Sequence, residues 1–103
     1  MTNQDSSSTL SIGLRSLTEE DLISITDYSY SVILKHLSQY VSKRDLEYFD
    51  IVIDTNYNDV LSIDLDISLT LPIRLPINEE KVINETLEAS FEDIDHYLQE
   101  NFT

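Results

Sequence analysis

The chain contains no cysteine, no tryptophan, one glycine (Gly13), two prolines (Pro72 and Pro76) and only six basic side chains. Without cysteine there is no disulfide framework, no thiol nucleophile and no zinc ribbon, which fits a reducing compartment. A single glycine leaves no Gly-rich loop to cradle phosphates. The six Lys and Arg stand against twenty Asp and Glu, for a formal net charge of −14. Such a surface repels nucleic acid and anionic membranes and offers few contacts to their phosphates. No apolar run approaches the roughly 20 residues that span a bilayer. The first residues, MTNQDSSST, have neither the basic region nor the apolar stretch of a signal peptide. The expectations are a cytoplasmic location, no membrane association and no direct nucleic-acid contact. The charge itself has three readings: it keeps the chain soluble and apart from its own copies, it meets a basic protein surface, or it imitates a polyanion.

What is present is patterning. One hundred and three residues with 41% apolar content suit one compact domain. Residues 1–8 are polar and Ser-rich and read as a disordered tail, leaving 9–103 as a single domain. TLSIGL puts Leu10, Ile12 and Leu14 on one side of a short strand. Thr18 is a natural N-cap for a helix opening Glu19-Glu20-Asp21, with Leu17 and Leu22 spaced as a hydrophobic staple. That helix runs to about Val41 with an apolar face through Leu22, Ile25, Ser29, Val32, Ile33, His36, Leu37 and Tyr40. LEYFDIVID (46–54) alternates with Phe49, Ile51 and Ile53 inward. TNYND (55–59) reads as a polar turn. From Leu61 to Ile77 every odd position is Leu or Ile, the signature of a strand with one fully buried face. Parity requires paired residues of the hairpin to sum to an even number. A sum of 114 pairs Ile53 with Leu61 and Ile51 with Ile63, and sets Asp50 opposite Asp64 and Asp66 opposite Tyr48. Asn78 caps a final helix over about 79–100, whose stripe is Ile83, Leu87, Phe91, Ile94, Leu98 and Phe102. The expected architecture is α+β: a three-stranded antiparallel sheet in the order strand–helix–strand–strand–helix, with both helices on one face.

No catalytic apparatus stands out. Asp64 and Asp66 point to the same side of a strand with alpha carbons roughly 6.8 Å apart, and Asp50 and Asp54 join them from the neighbouring strand. Hard cations take oxygen ligands, but such sites draw on glycine-turned loops that this chain lacks, so a solvated face or an interface is the plainer reading. His36 lies near the core stripe of the first helix and His96 at the border of the second. Asp95 adjoins His96, yet helical neighbours point apart, and a general base needs an oriented partner in a pocket. Six tyrosines lack the basic groove that base stacking requires. No enzyme, no cofactor and no metal are expected. The last helix is more informative: Glu79, Glu80, Glu85, Glu88, Glu92, Asp93, Asp95 and Glu100 face a single Lys81. Glu88 and Glu92 repel across one turn, and Asp95 and Glu100 sit near the unfavourable end of the helix dipole. Exposed Glu85, Glu88 and Glu92, with Asp50, Asp64 and Asp66 on the polar side of the sheet, are the candidate partner-binding residues.

The stretch LTEEDLISITDYSYSVILKHLSQYVSKRDLEYFDIVIDTNYNDVLSIDLDISLTLP, followed by NETLEASFEDIDHYLQENF, resembles a family of small archaeal proteins of unassigned function. The likeness covers about residues 16–102 and rests on the VSKRDLEYFDI strand entry, the acidic hairpin and the closing DHYL helix. The element order is also similar to the Pcc-type subunit of KEOPS, the complex that makes threonylcarbamoyl-adenosine on tRNA. That resemblance implies a non-catalytic assembly subunit that heterodimerises with a paralogous small subunit and docks on other KEOPS components. The chain departs from the tRNA-contacting type in lacking a basic C-terminal tail. An alternative is an acidic nucleic-acid mimic, or a protein-binding module of another pathway.

Overall fold

A computed structural model describes residues 3–12, 16–42, 44, 48–72 and 77–102, with side chains described outside 3–12. Along the chain, β1 is Asn3–Ile12, α1 Glu19–Tyr40, β2 Tyr48–Asn58, β3 Val60–Thr70 and α2 Glu79–Phe102. The expected strand entry at Leu46, the odd positions 73 and 75, and the inward face assigned to Leu10, Ile12 and Leu14 lie outside the described residues or side chains. Two helices and the antiparallel β2–β3 hairpin establish the α+β class. The backbone of β1 runs antiparallel along the other edge of β3, so the strand order is β1-β3-β2. Pairing begins at Asn3, inside the segment whose composition suggested a tail.

The alternation in β3 determines where everything else lies. Leu61, Ile63, Leu65, Ile67, Leu69 and Leu71 are all buried, while the even residues between them are exposed or half-buried. Removing each of those side chains from water contributes about 1.5–3 kcal/mol. The odd residues of β2 are only half-buried and pack at the margin of the same cluster, as expected for a strand with one neighbour.

Hairpin register differs from the expectation. Paired numbers sum to 118, so Ile53 faces Leu65, Ile51 faces Ile67 and Phe49 faces Leu69. The parity is the one required by the buried face, but the strands are longer. Thr55 and Tyr57 continue the half-buried odd row of β2, and both residue types suit a pleated surface. The Thr55 hydroxyl also shares a 2.8 Å hydrogen bond with the hydroxyl of Thr26 on α1. The turn shrinks to the neighbourhood of Asp59, whose φ of 66° lies in the left-handed region that Asp tolerates better than most residues. Asp50 therefore faces Ser68 rather than Asp64, and Asp66 faces Val52 rather than Tyr48, while Asp54 stands opposite Asp64.

Both helices start as their sequences imply. The Thr18 hydroxyl accepts from the amide of Asp21 at 3.1 Å, and the Asp21 carboxylate accepts from the amide of Thr18 at 2.9 Å, a complete capping box. The Asn78 side chain accepts from the amide of Lys81 at 3.1 Å. Glu79, in the first turn of α2, accepts the amide of Leu71 at 2.6 Å. That bond fastens the start of α2 to the end of β3. The α2 stripe is buried as expected at Ile83, Leu87, Ile94, Leu98 and Phe102, with Phe91 half-buried and Val82, Thr86 and Ser90 added. The hydroxyls of Thr86 and Ser90 are fully enclosed with no hydrogen-bond partner among the described residues, and each such group costs stability. Ser29 on α1 avoids that cost by donating to the carbonyl of Ile25 at 2.7 Å.

Leu65→Ala, at a side chain with 0% exposure, should destabilise the fold by about 2–5 kcal/mol. Val52→Ala, on the open face at 51% exposure, should change stability by less than about 0.5 kcal/mol. Urea denaturation followed by circular dichroism measures both.

Candidate partner-binding surfaces

Helical spacing alone brings three of the candidate residues together. Glu85, Glu88 and Glu92, with Ala89, stand at i, i+3, i+7 and i+4 and therefore share one face of α2. The structure completes that face with Tyr40 from the last turn of α1. These five residues line a groove of ≈ 280 Å³. A second hollow of ≈ 270 Å³ continues it toward the start of α2, lined by Tyr40, Ile77, Asn78, Lys81, Val82 and Glu85. Tyr40 was expected on the core face of α1 but is exposed, because the core stripe closes at Leu37 and Val41. Its hydroxyl is held above the ordinary tyrosine range by partial desolvation, by the charge of Glu85 and a hydrogen bond to it, and by Glu88. The groove is open, rich in hydrogen-bond acceptors and negative, with Lys81 at one end as the single cation of α2. Its chemistry suits lysine or arginine side chains. Among the described residues no group of three or more His, Asp or Glu is placed to hold a metal ion.

Asp50, Asp64 and Asp66 lie elsewhere. They occupy even positions of β2 and β3, on the side of the sheet opposite the buried odd row. Asp50 and Asp64 are exposed and Asp66 is half-buried. Neighbouring Tyr48 and Val52 are about half exposed, at 50% and 51%. The candidate residues thus form two acidic surfaces on opposite sides of the molecule rather than one site.

Sequence reasoning did not find the polar link between the helices. Nε2 of His36 lies 2.7 Å from Oδ2 of Asp93, and Nζ of Lys35 lies 3.5 Å from the same oxygen. The His36 side chain is 15% exposed and that of Asp93 33%. The hydrogen bond from His36 is the main cause holding the Asp93 carboxyl below its ordinary range; desolvation works against it and the Lys35 charge assists. Next to the pair, Tyr28 and Tyr97 stack with ring centroids 4.0 Å apart and planes 9° from parallel, and Phe102 meets Tyr97 edge-on at 5.7 Å. Burial, then the charges of Asp93 and Glu100, push the Tyr28 hydroxyl up. A signal was available: α1 holds only two side chains that can be cationic, the adjacent Lys35 and His36, and His36 borders the stripe that packs toward acidic α2. The two grooves at the α1–α2 end include neither His36 nor Asp93, so the pair reads as a tie between helices. His96 is exposed. No described helix is long and apolar enough to cross a membrane.

Comparison with known proteins places the chain among archaeal relatives. A family model described as a protein of unknown function, DUF3194, matches residues 14–97. An uncharacterised protein of Thermococcus kodakarensis is 26% identical over 89 residues, covering 86% of this chain and 82% of that protein. One from Pyrococcus horikoshii is 26% identical over 88 residues, covering 85% and 76%. Among solved structures, a crystal structure from Thermococcus onnurineus NA1 superposes with a TM-score of 0.76 at 23% identity, covering 94% of both chains. A solution structure of a hypothetical protein from Methanothermobacter thermautotrophicus gives 0.73 at 24% identity, covering 87% of this chain and 98% of that one. At those identities the likeness carries the fold.

Because the Asp93 carboxyl is depressed, its link stabilises the fold above the ordinary carboxylate range and that contribution disappears as pH falls through the lowered value. Asp93→Asn should lower the melting temperature at neutral pH. The gap between variant and wild type should close as the solution is acidified below the Asp93 titration.

Proposed function

This chain belongs to the DUF3194 family, and from that premise we propose that it is a non-catalytic interaction subunit that docks on a basic protein surface. The observation that carries the reading is the groove of Tyr40, Glu85, Glu88, Ala89 and Glu92. Three carboxylates of one helix face stand together without a cation among the five residues that line it. A basic side chain entering the groove would meet several acceptors at once, and charge of this sign speeds encounter with a basic partner. The partner class that the element order suggests is a paralogous small subunit, within a KEOPS-type tRNA-modification assembly. In that reading the unit is the three-stranded sheet with β1 on its outer edge, backed by both helices. The relatives are described only as uncharacterised, so the assignment to KEOPS rests on the element order and the uncompensated acidic face.

Tagged full-length chain, incubated with native archaeal extract at low salt, should retain a basic small subunit and other KEOPS components identified by mass spectrometry. The triple variant E85K/E88K/E92K should retain less of them, with binding weakened about threefold to a hundredfold given about 0.2–1 kcal/mol for each of the exposed charge pairs lost. Recovery of no KEOPS component by the wild-type chain overturns the KEOPS assignment. Equal recovery by wild type and triple variant overturns the groove as the docking surface.

A further inference from the structure

The outer edge of β2 is open along the length of the strand among the described residues. Among the described residues β2 pairs with β3 alone, so its other side presents an unpaired row of backbone groups over eleven residues. Natural edge strands are usually blunted by lysine, proline, a bulge or short length. The sequence YFDIVIDTNYN has no lysine, proline or glycine, and its pairing with β3 runs without interruption from Tyr48 to Asn58. Its odd row, Phe49, Ile51, Ile53, Thr55 and Tyr57, is only half-buried, so a further strand would complete the cover over it. Its even row carries Asp50 and Asp54 beside exposed Tyr48 and Val52.

Charge decides what can be added. In an antiparallel pairing of two copies at this edge, core continuity requires odd residues of both on one face, so paired numbers again sum to an even value. Every such register centred on the strand sets Asp50 and Asp54 of one copy directly opposite or diagonal to those of the other. Like charges in those positions are destabilising, and each copy also brings a formal −14. A strand with lysine or arginine at alternate positions meets the opposite situation, because its cations fall beside Asp50 and Asp54 while its apolar residues extend the row over Ile51 and Ile53. We propose that the β2 edge accepts an extended strand from a basic protein partner, joined by backbone hydrogen bonds and selected by Asp50 and Asp54. The proposal deepens the interaction-subunit reading and adds a second contact, on a strand that does not line the α2 groove.

The test uses the full-length chain labelled for NMR and a short synthetic peptide alternating Lys and Val, with a Glu–Val peptide of equal length as its counterpart. The Lys–Val peptide should shift and protect amides of β2, and the Glu–Val peptide should not. In D50K/D54K the preference should reverse, with affinity for the Lys–Val peptide falling about tenfold. Thermal unfolding of D50K/D54K checks that these exposed substitutions leave the fold intact. Three results would overturn the inference: no binding of the Lys–Val peptide, perturbation centred on Glu85, Glu88 and Glu92, or an unchanged preference in a folded D50K/D54K. None of them would touch partner capture through the α2 groove, whose own failure would show instead in the extract experiment.

Discussion

The unbroken burial of one face of β3 is the constraint on which the other elements depend. Six alternating Leu and Ile side chains from Leu61 to Leu71 must leave water together, and a one-residue slip would expose all of them. That requirement fixes the parity of β2 against β3 and the side of the sheet on which α1 and α2 can pack. It also fixes where α2 begins, since the Glu79 carboxylate takes the amide of Leu71 at the end of the same strand. The groove at Tyr40, Glu85, Glu88 and Glu92 is thus located by a strand that contributes nothing to its lining.

Packing, rather than electrostatics, holds this fold. Neither helix has a basic residue in its last turn, and twenty acids outnumber six bases. The apolar seam from Ile25 to Leu37 on α1 and from Val82 to Phe102 on α2 supplies what the charges do not. The fold even tolerates two enclosed hydroxyls, at Thr86 and Ser90. The short polar contact between the helices, His36 with Asp93, sits at the margin of that seam, where a histidine can be half-covered and still meet a carboxylate. Of its carboxylates, those of Asp50, Asp54, Glu88 and Glu92 stand exposed.

Much of this was legible in the sequence, because period-2 and period-4 apolar patterns are strong signals when one face is completely buried. The capping role of Thr18, the extent of α1, the stripe of α2 and the parity of the hairpin all follow from such patterns. The register did not, since TNYND looks like a turn by composition, whereas Thr55 and Tyr57 keep the alternation alive and move the reversal to Asp59. Composition also hid the pairing that begins at Asn3, where a run of polar residues lies along β3. Of the candidate site, helical spacing was enough to collect Glu85, Glu88 and Glu92. The contribution of Tyr40 and the pairing of His36 with Asp93 depend on how two helices pack, which no single helix's pattern contains.

The central claim is that the acidic surfaces hold a basic protein partner. Its most direct test is the size of the particle that carries this chain in a native cell extract, followed by gel filtration with immunodetection at low and at high salt. The account predicts a particle well above 11.9 kDa at low salt that shrinks toward the free chain as screening weakens the charge contacts. Elution as the free chain under both conditions would contradict it.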